Sequence, residues 1–262
     1  MLTDYHSHSN FSDGTASPRE MVEAAVSRGL TRYGLSDHGY APYDLDVCIP
    51  RDRREEYVRT VRALQEEFAD RIQLKLGLEM DALSEEVEKG YDYKIGSVHY
   101  VKDPQGCILV IDYPSDCLKT GAETGFGGDV YALLESYWNL AGEAVERTDC
   151  DIIGHFDLCA KYCEREDCPF DPQHPRYVAA WQRAADRLLK TGRPFEINVG
   201  AIAKGYRSLP YPHPDIARYL IDRGAAFVLS SDSHAPQNIA FQFERWSGYY
   251  RRLGARIVQP EF

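Results

Sequence analysis

The sequence predicts an α/β fold of parallel strands joined by helical crossovers. Three observations carry this reading. Strand-like and helix-like segments alternate through the 262 residues; seven strand candidates recur in β-α order; and nearly every strand ends in a His, Asp or Glu. In a parallel barrel the C-terminal strand tips gather at one face, where such folds build their active sites.

The first candidate strand is LTDYH, which opens the stretch DYHSHSNFSDG from Asp4 to Gly14. Side chains alternate along a strand, so Asp4, His6 and His8 share one face. A helix follows in SPREMVEAAVSRGL: Ser17 caps it, Pro18 takes the first turn, Glu20 completes a capping box and Gly29 ends it. Its apolar positions Met21, Val22, Ala25 and Val26 form one stripe. Further strands are RYGLS before Asp37, IQLKLGLE ending at Glu79 and YKIGSVH ending at His99. DIIGH ending at His155, PFEIN ending at Asn198 and AAFVLSSD ending at Asp232 complete the set. Amphipathic helices are predicted at Arg54–Phe68, Val130–Glu146, Tyr177–Leu189 and Asp215–Arg223. KTGAETGFGGD, Lys119 to Asp129, reads as the clearest long loop. With no Pro-, Gly- or Ser-rich linker and no internal repeat, residues 1–262 read as one domain.

A hydrophobic content of 44% and a charged content of 27% suit a globular chain. The net charge of −11 leaves no basic excess to displace counterions, which argues against a partner of long nucleic acid. A small phosphorylated substrate needs only local positive charge and stays open. The absence of a basic region followed by an apolar stretch, and of any apolar run near the ~20 residues of a membrane span, predicts a cytoplasmic protein with no membrane partner. Seven cysteines form no regular framework, which suits a reducing compartment and small buried hydrophobes. Cys159, Cys163 and Cys168 with His174 are the one group with a structural-zinc composition, but their spacing does not match paired C-x-x-C knuckles.

Of eight histidines, His6, His8, His38, His99, His155 and His234 fall at strand ends, whereas His174 and His213 sit in proline-containing turns. With Asp13, Glu79 and Asp232 they make a donor set sufficient for about three divalent ions, with positions left for water and substrate. Without cations, gathering these carboxylates and imidazoles would carry a high desolvation cost. Perturbed ionisable groups concentrate at functional sites.

These residues carry a resemblance. DYHSHSNFSDG, LSDHG, GLEMD, GSVHY, GHFDL, EINVG and SSDSHAP resemble, in order, the motifs of the polymerase-and-histidinol-phosphatase (PHP) superfamily, from Asp4 to about Pro236. EIN followed by KGYRSLPYPHPDI is most similar to the histidinol-phosphatase branch. The resemblance implies a distorted (β/α)7 TIM-like barrel and a trinuclear metal site. In that site His6, His8, Glu79 and Asp232 would hold one ion, and Glu79 would bridge to a second on His99 and His155. Asp13, His38 and His234 would hold the third. Asp13 stands where several relatives have a histidine.

The implied chemistry is attack of metal-activated water on phosphorus, with cations offsetting charge on the phosphoryl oxygens. Asp37, beside His38, is a candidate for the acid that protonates the leaving group or for an orienter of an imidazole, the latter favoured. Lys161, Lys204 and Arg207 follow ligand-bearing strands and are candidate phosphate contacts. Imidazole with carboxylate suits Zn, Mn or Fe about equally. The leading expectation is hydrolysis of L-histidinol phosphate in histidine biosynthesis. The alternatives are a related phosphoesterase acting on a nucleotide or short oligonucleotide, or a non-catalytic metal-binding scaffold. Lys119–Asp129 is the candidate wall for the organic end of the substrate.

Overall fold

The structure, a computed structural model, describes residues 2–84 and 87–262. Ten strands run in chain order among these residues. They are β1 (Thr3–Asp4), β2 (Arg32–Leu35), β3 (Gln73–Asp81), β4 (Tyr93–Ser97), β5 (Tyr100–Lys102), β6 (Ile108–Val110), β7 (Ile152–Ile153), β8 (Phe195–Asn198), β9 (Ala226–Ser230) and β10 (Arg256–Ile257). β1-β2-β3-β4-β7-β8-β9-β10 form one sheet in that spatial order, and every pairing in it is parallel. The seven expected strands are the first seven of this order. The sheet curls into a distorted barrel whose ends are drawn together beyond β1 and β9. There Ser7 bridges Ser233 and the His8 N–H donates to the Ser233 carbonyl at 2.8 Å. Buried Asp4 clamps the same seam, accepting from the backbone N–H of Ser231 and of Ala240, each at 3.0 Å.

Two strand features were not expected. β10 extends the sheet at the start of β9, and β5 and β6 form a separate antiparallel hairpin. The five expected helices form near their expected bounds, and Phe243–Arg252 is a further helix the sequence reading did not include. Ser17 and Glu20 make the reciprocal capping box of the Pro18–Ser27 helix. The expected Val130–Glu146 helix is interrupted after Gly142 and resumes as Ala144–Thr148. His174 and His213 are both N-cap residues whose rings accept a backbone N–H. No helix among the described residues is long and apolar enough to cross a membrane.

The expected loop Lys119–Asp129 requires correction. Cys117–Gly125 is a helix, and Asp129 caps the next one. The glycines that signal a loop here serve close packing: a Cβ on Gly121 would press on Leu133, and one on Gly125 on Leu109 and Asp103. None of Lys119–Asp129 lines the cleft described below, so this segment is not the wall around a substrate.

The barrel interior divides along its axis. At one end Tyr5 and Tyr93 pack with Ile95, Ile152 and Val228. The ring of Phe262 stacks on Tyr93 at 4.7 Å and meets Tyr5 edge-on at 5.2 Å. The Tyr93 hydroxyl crosses the barrel to donate to the Tyr5 carbonyl. This apolar plug leaves the opposite end to the polar strand tips. Gly77 lets Tyr93 lie across the sheet, because a Cβ there would overlap the hydroxyl end of its ring. Gly77→Ala is therefore expected to lower stability by about 1–3 kcal/mol through overpacking, read as a lower urea midpoint at unchanged m-value. An unchanged midpoint contradicts this placement of Tyr93.

Candidate metal centre and cleft

The C-terminal strand tips surround a cleft of about 440 Å3. β1 continues into His6 and His8, both fully buried. β2 leads to His38, β3 carries Glu79, β4 leads to His99, β7 to His155, and β9 to Asp232 and His234. Asp232 adopts a left-handed conformation, φ 50°, a strained geometry for a non-glycine residue that fits a functional position.

Glu79 sits at the centre with 1% exposure. Its Oε2 lies 3.0 Å from His6 Nε2, 3.4 Å from His8 Nε2 and 3.1 Å from His38 Nδ1. Its Oε1 lies 2.9 Å from His155 Nε2 and 3.5 Å from His99 Nε2. Asp232 Oδ1 approaches His8 Nε2 at 3.3 Å, and Asp13 Oδ2 approaches His234 Nε2 at 3.1 Å. All nine expected ligand residues thus meet in one place, in four overlapping groups: His8, Asp13, His38 and His234; His6, His8 and Asp232; His6, Glu79 and His155; His38, Glu79 and His99. In these groups His8 stands also with Asp13, and His38 also faces Glu79.

The donor set fits divalent cations. His6 Nε2, both ring nitrogens of His8, and Glu79 Oε2 are buried without a hydrogen-bond partner, a costly arrangement unless they bind something else. The protonation pattern agrees. Burial, then the neighbouring His234 and His38, pulls His8 down to about 3, leaving its ring neutral. Burial would raise Glu79, but His6, His38 and His99 hold it well below the carboxylate range. Burial would lower His99, but Glu79, Asp81 and Asp112 raise it to about 9.

A surrounding layer orients these groups, and sequence reasoning missed most of it. Glu196 Oε1 accepts a hydrogen bond from His6 Nδ1 at 2.7 Å, which turns Nε2 toward the cluster, and its Oε2 accepts the backbone N–H of His155 at 2.9 Å. Asp81 accepts the His99 N–H at 2.7 Å and faces its Nδ1 at 3.3 Å. Period-two alternation held the signal for both: Glu196 shares a strand face with Asn198, and Asp81 with Glu79.

Asp37 does something other than expected. It is buried, and it accepts from Ser9 N at 2.8 Å, Ser9 Oγ at 2.9 Å, Ser12 N at 3.2 Å and Ser12 Oγ at 2.6 Å. These bonds fix the backbone between His8 and Asp13; Asp37 does not line the cleft. Lys161 and Lys204 do line it, and the Lys161 Nζ lies 2.9 Å from Asp112 Oδ2. Arg207 is instead buried beneath the lining, 3.7 Å from Asp157 and stacked 4.3 Å over the Tyr211 ring. Cys159, Cys163, Cys168 and His174 form no group capable of holding a metal among the described residues; the cysteines are free thiols, and His174 stacks on Tyr131 at 3.9 Å.

Comparison with known proteins follows the same lines. Residues 4–199 match the PHP domain model. The chain is 32% identical to a probable histidinol-phosphatase of Deinococcus radiodurans over 98% of its own length and 95% of that protein's. The fold superposes on a crystal structure described as a histidinol phosphatase of Listeria monocytogenes with a TM-score of 0.81 at 18% identity, covering 94% of this chain and all of that one. It also superposes on the Lactococcus lactis histidinol phosphate phosphatase solved with zinc, L-histidinol and phosphate, with a TM-score of 0.70 at 20% identity, covering 98% and 95%. The chain belongs to the PHP domain family and, within it, groups with the histidinol-phosphatases.

Proposed function

We propose that the chain is a metal-dependent phosphomonoesterase that hydrolyses L-histidinol phosphate to L-histidinol and phosphate, a step of histidine biosynthesis in the cytoplasm. Residues 1–262 act as one domain in this reading. The carrying observation is the convergence of nine ligand-type residues, Glu79 among them, in a cleft that also presents Lys161 and Lys204.

His6, His8, Asp13, His38, Glu79, His99, His155, Asp232 and His234 would hold three divalent ions, Zn, Mn or Fe. Such ions supply Lewis-acid polarisation of a phosphoryl group and water activated near neutral pH. The chain's own residues do the rest. Glu79 spans the cluster through both oxygens. Glu196 and Asp81 hold ring orientations, and Asp37 clamps the turn that carries Asp13. Lys161 and Lys204 offset charge on the phosphoryl oxygens. Arg207 supports the cleft wall through Tyr211 rather than meeting phosphate directly.

The direct assay is phosphate release from histidinol phosphate against aryl phosphates and nucleotides. Histidinol phosphate is expected to give the highest kcat/KM; a nucleotide in first place transfers the assignment to another phosphoesterase activity. Chelation is expected to abolish turnover and added Zn, Mn or Fe to restore it, whereas full activity in a verified metal-free sample contradicts the mechanism. Glu79→Ala should lower metal content per chain and reduce kcat by more than about 100-fold, as loss of an electrostatic centre does; full metal content with near-normal kcat contradicts its place among the metal-holding residues. Metal affinity also carries a pH signature. His99 must release its proton to bind, and its pKa of about 9 makes apparent affinity rise toward pH 9, about tenfold per unit for one displaced proton. Calorimetric titrations showing pH-independent affinity between pH 6.5 and 8.5 contradict this.

A further inference from the structure

Lys161 and Asp112 form an ion pair in the wall of the cleft. Asp112 follows the β5–β6 hairpin, and Lys161 lies in the turn after His155, so irregular segments from opposite parts of the chain bring them together. Both line the cleft, their charged atoms are 2.9 Å apart, and their side chains are only 13% and 18% exposed. The pair sits against the candidate metal centre: Lys161 interacts through space with Asp232, and Asp112 with His99 and His155. A carboxylate here is unfavourable for a phosphatase that needs only to bind phosphate, because it neutralises the lysine and repels the anion.

We propose that Asp112 and Lys161 form an exchangeable ion pair that selects phosphate esters carrying an ammonium on the carbon next to the ester carbon. The phosphate takes Lys161 and the ammonium takes Asp112. This rests on the reading of the chain as a phosphomonoesterase and deepens it to a substrate class, the 2-aminoalkyl phosphates, of which histidinol phosphate is one. In such esters the two charges stand on adjacent carbons, matching a carboxylate and an ammonium held side by side. Binding then replaces one internal pair with two crossed pairs, and every charge stays compensated. An amine-free phosphomonoester takes Lys161 and leaves Asp112 unpaired and facing an anion, a repulsive element that rejects it.

The test compares the metal-loaded protein on two matched pairs: histidinol phosphate with its deaminated analogue, and 2-aminoethyl phosphate with ethyl phosphate. The readout is the ratio of kcat/KM, amine-bearing over amine-free. The wild-type ratio is expected to exceed about 10 in at least one pair, and Asp112→Asn to lower that ratio about 10- to 100-fold, chiefly through KM of the amine-bearing ester. Lys161→Met is expected to raise KM for both members of a pair without lowering the ratio. A wild-type ratio near 1 in both pairs, or a ratio unchanged by Asp112→Asn, overturns the proposal; the first of these needs no variant. Efficient hydrolysis of histidinol phosphate with a ratio near 1 in both pairs leaves the functional reading standing and removes the ion-pair exchange. Preference for 2-aminoethyl over ethyl phosphate, with histidinol phosphate untouched, keeps the exchange and removes the histidinol assignment.

Discussion

A single carboxylate, Glu79, only 1% exposed at the floor of the cleft, faces five imidazoles at 2.9–3.5 Å. Most of the polar architecture follows from that concentration of charge. Burial alone would protonate the carboxylate and deprotonate the rings, so the cluster persists only where opposite charges and oriented donors surround it. Glu196, Asp81 and Ser97 supply those partners from the neighbouring strand tips. The seam at Ser7 and Ser233 brings the first and last of the ligand-bearing strands together, so that His6, His8 and Asp232 meet. The aromatic plug of Tyr5, Tyr93 and Phe262 closes the other end of the barrel.

The seven strands, most helix boundaries and the gathering of His, Asp and Glu at the strand tips were legible because each has a local signature. Parallel strands buried on both faces read as apolar runs, and their polar tips stand out against them. The capping box at Ser17 and Glu20 needs only four residues to be recognised. The Cys117–Gly125 helix had no such signature, since its glycines are there for contact with Leu109 and Leu133, and that contact is invisible without the tertiary structure. Asp37 shows the same limit at the site. Its position beside His38 suggested a partner for the imidazole, but its oxygens turn to Ser9 and Ser12, which become neighbours only when β1 and β2 pair. Arg207 was legible as a cation after the EIN strand, not as one folded beneath Tyr211.

In the proposed function, selectivity and phosphate chemistry fall to different parts of the cleft. The candidate ligand residues stand at strand tips, whereas lining residues within 41–48, 110–113 and 206–211 come from segments outside the main sheet. Lys161 and Asp112 straddle these two layers, with the Tyr206 ring 5.0 Å from the ammonium. A fold that keeps its metal-binding tips constant can change substrate by altering such segments, since they carry little of the core.

The central claim is that the strand tips around Glu79 hold a cluster of divalent cations. Anomalous diffraction from crystals of an active preparation, recorded on both sides of the zinc, manganese and iron edges, tests it most directly. The account predicts anomalous peaks within the cleft, one of them in contact with a Glu79 oxygen and at least one histidine ring nitrogen. An active preparation whose crystals show no anomalous scatterer among these residues would contradict it.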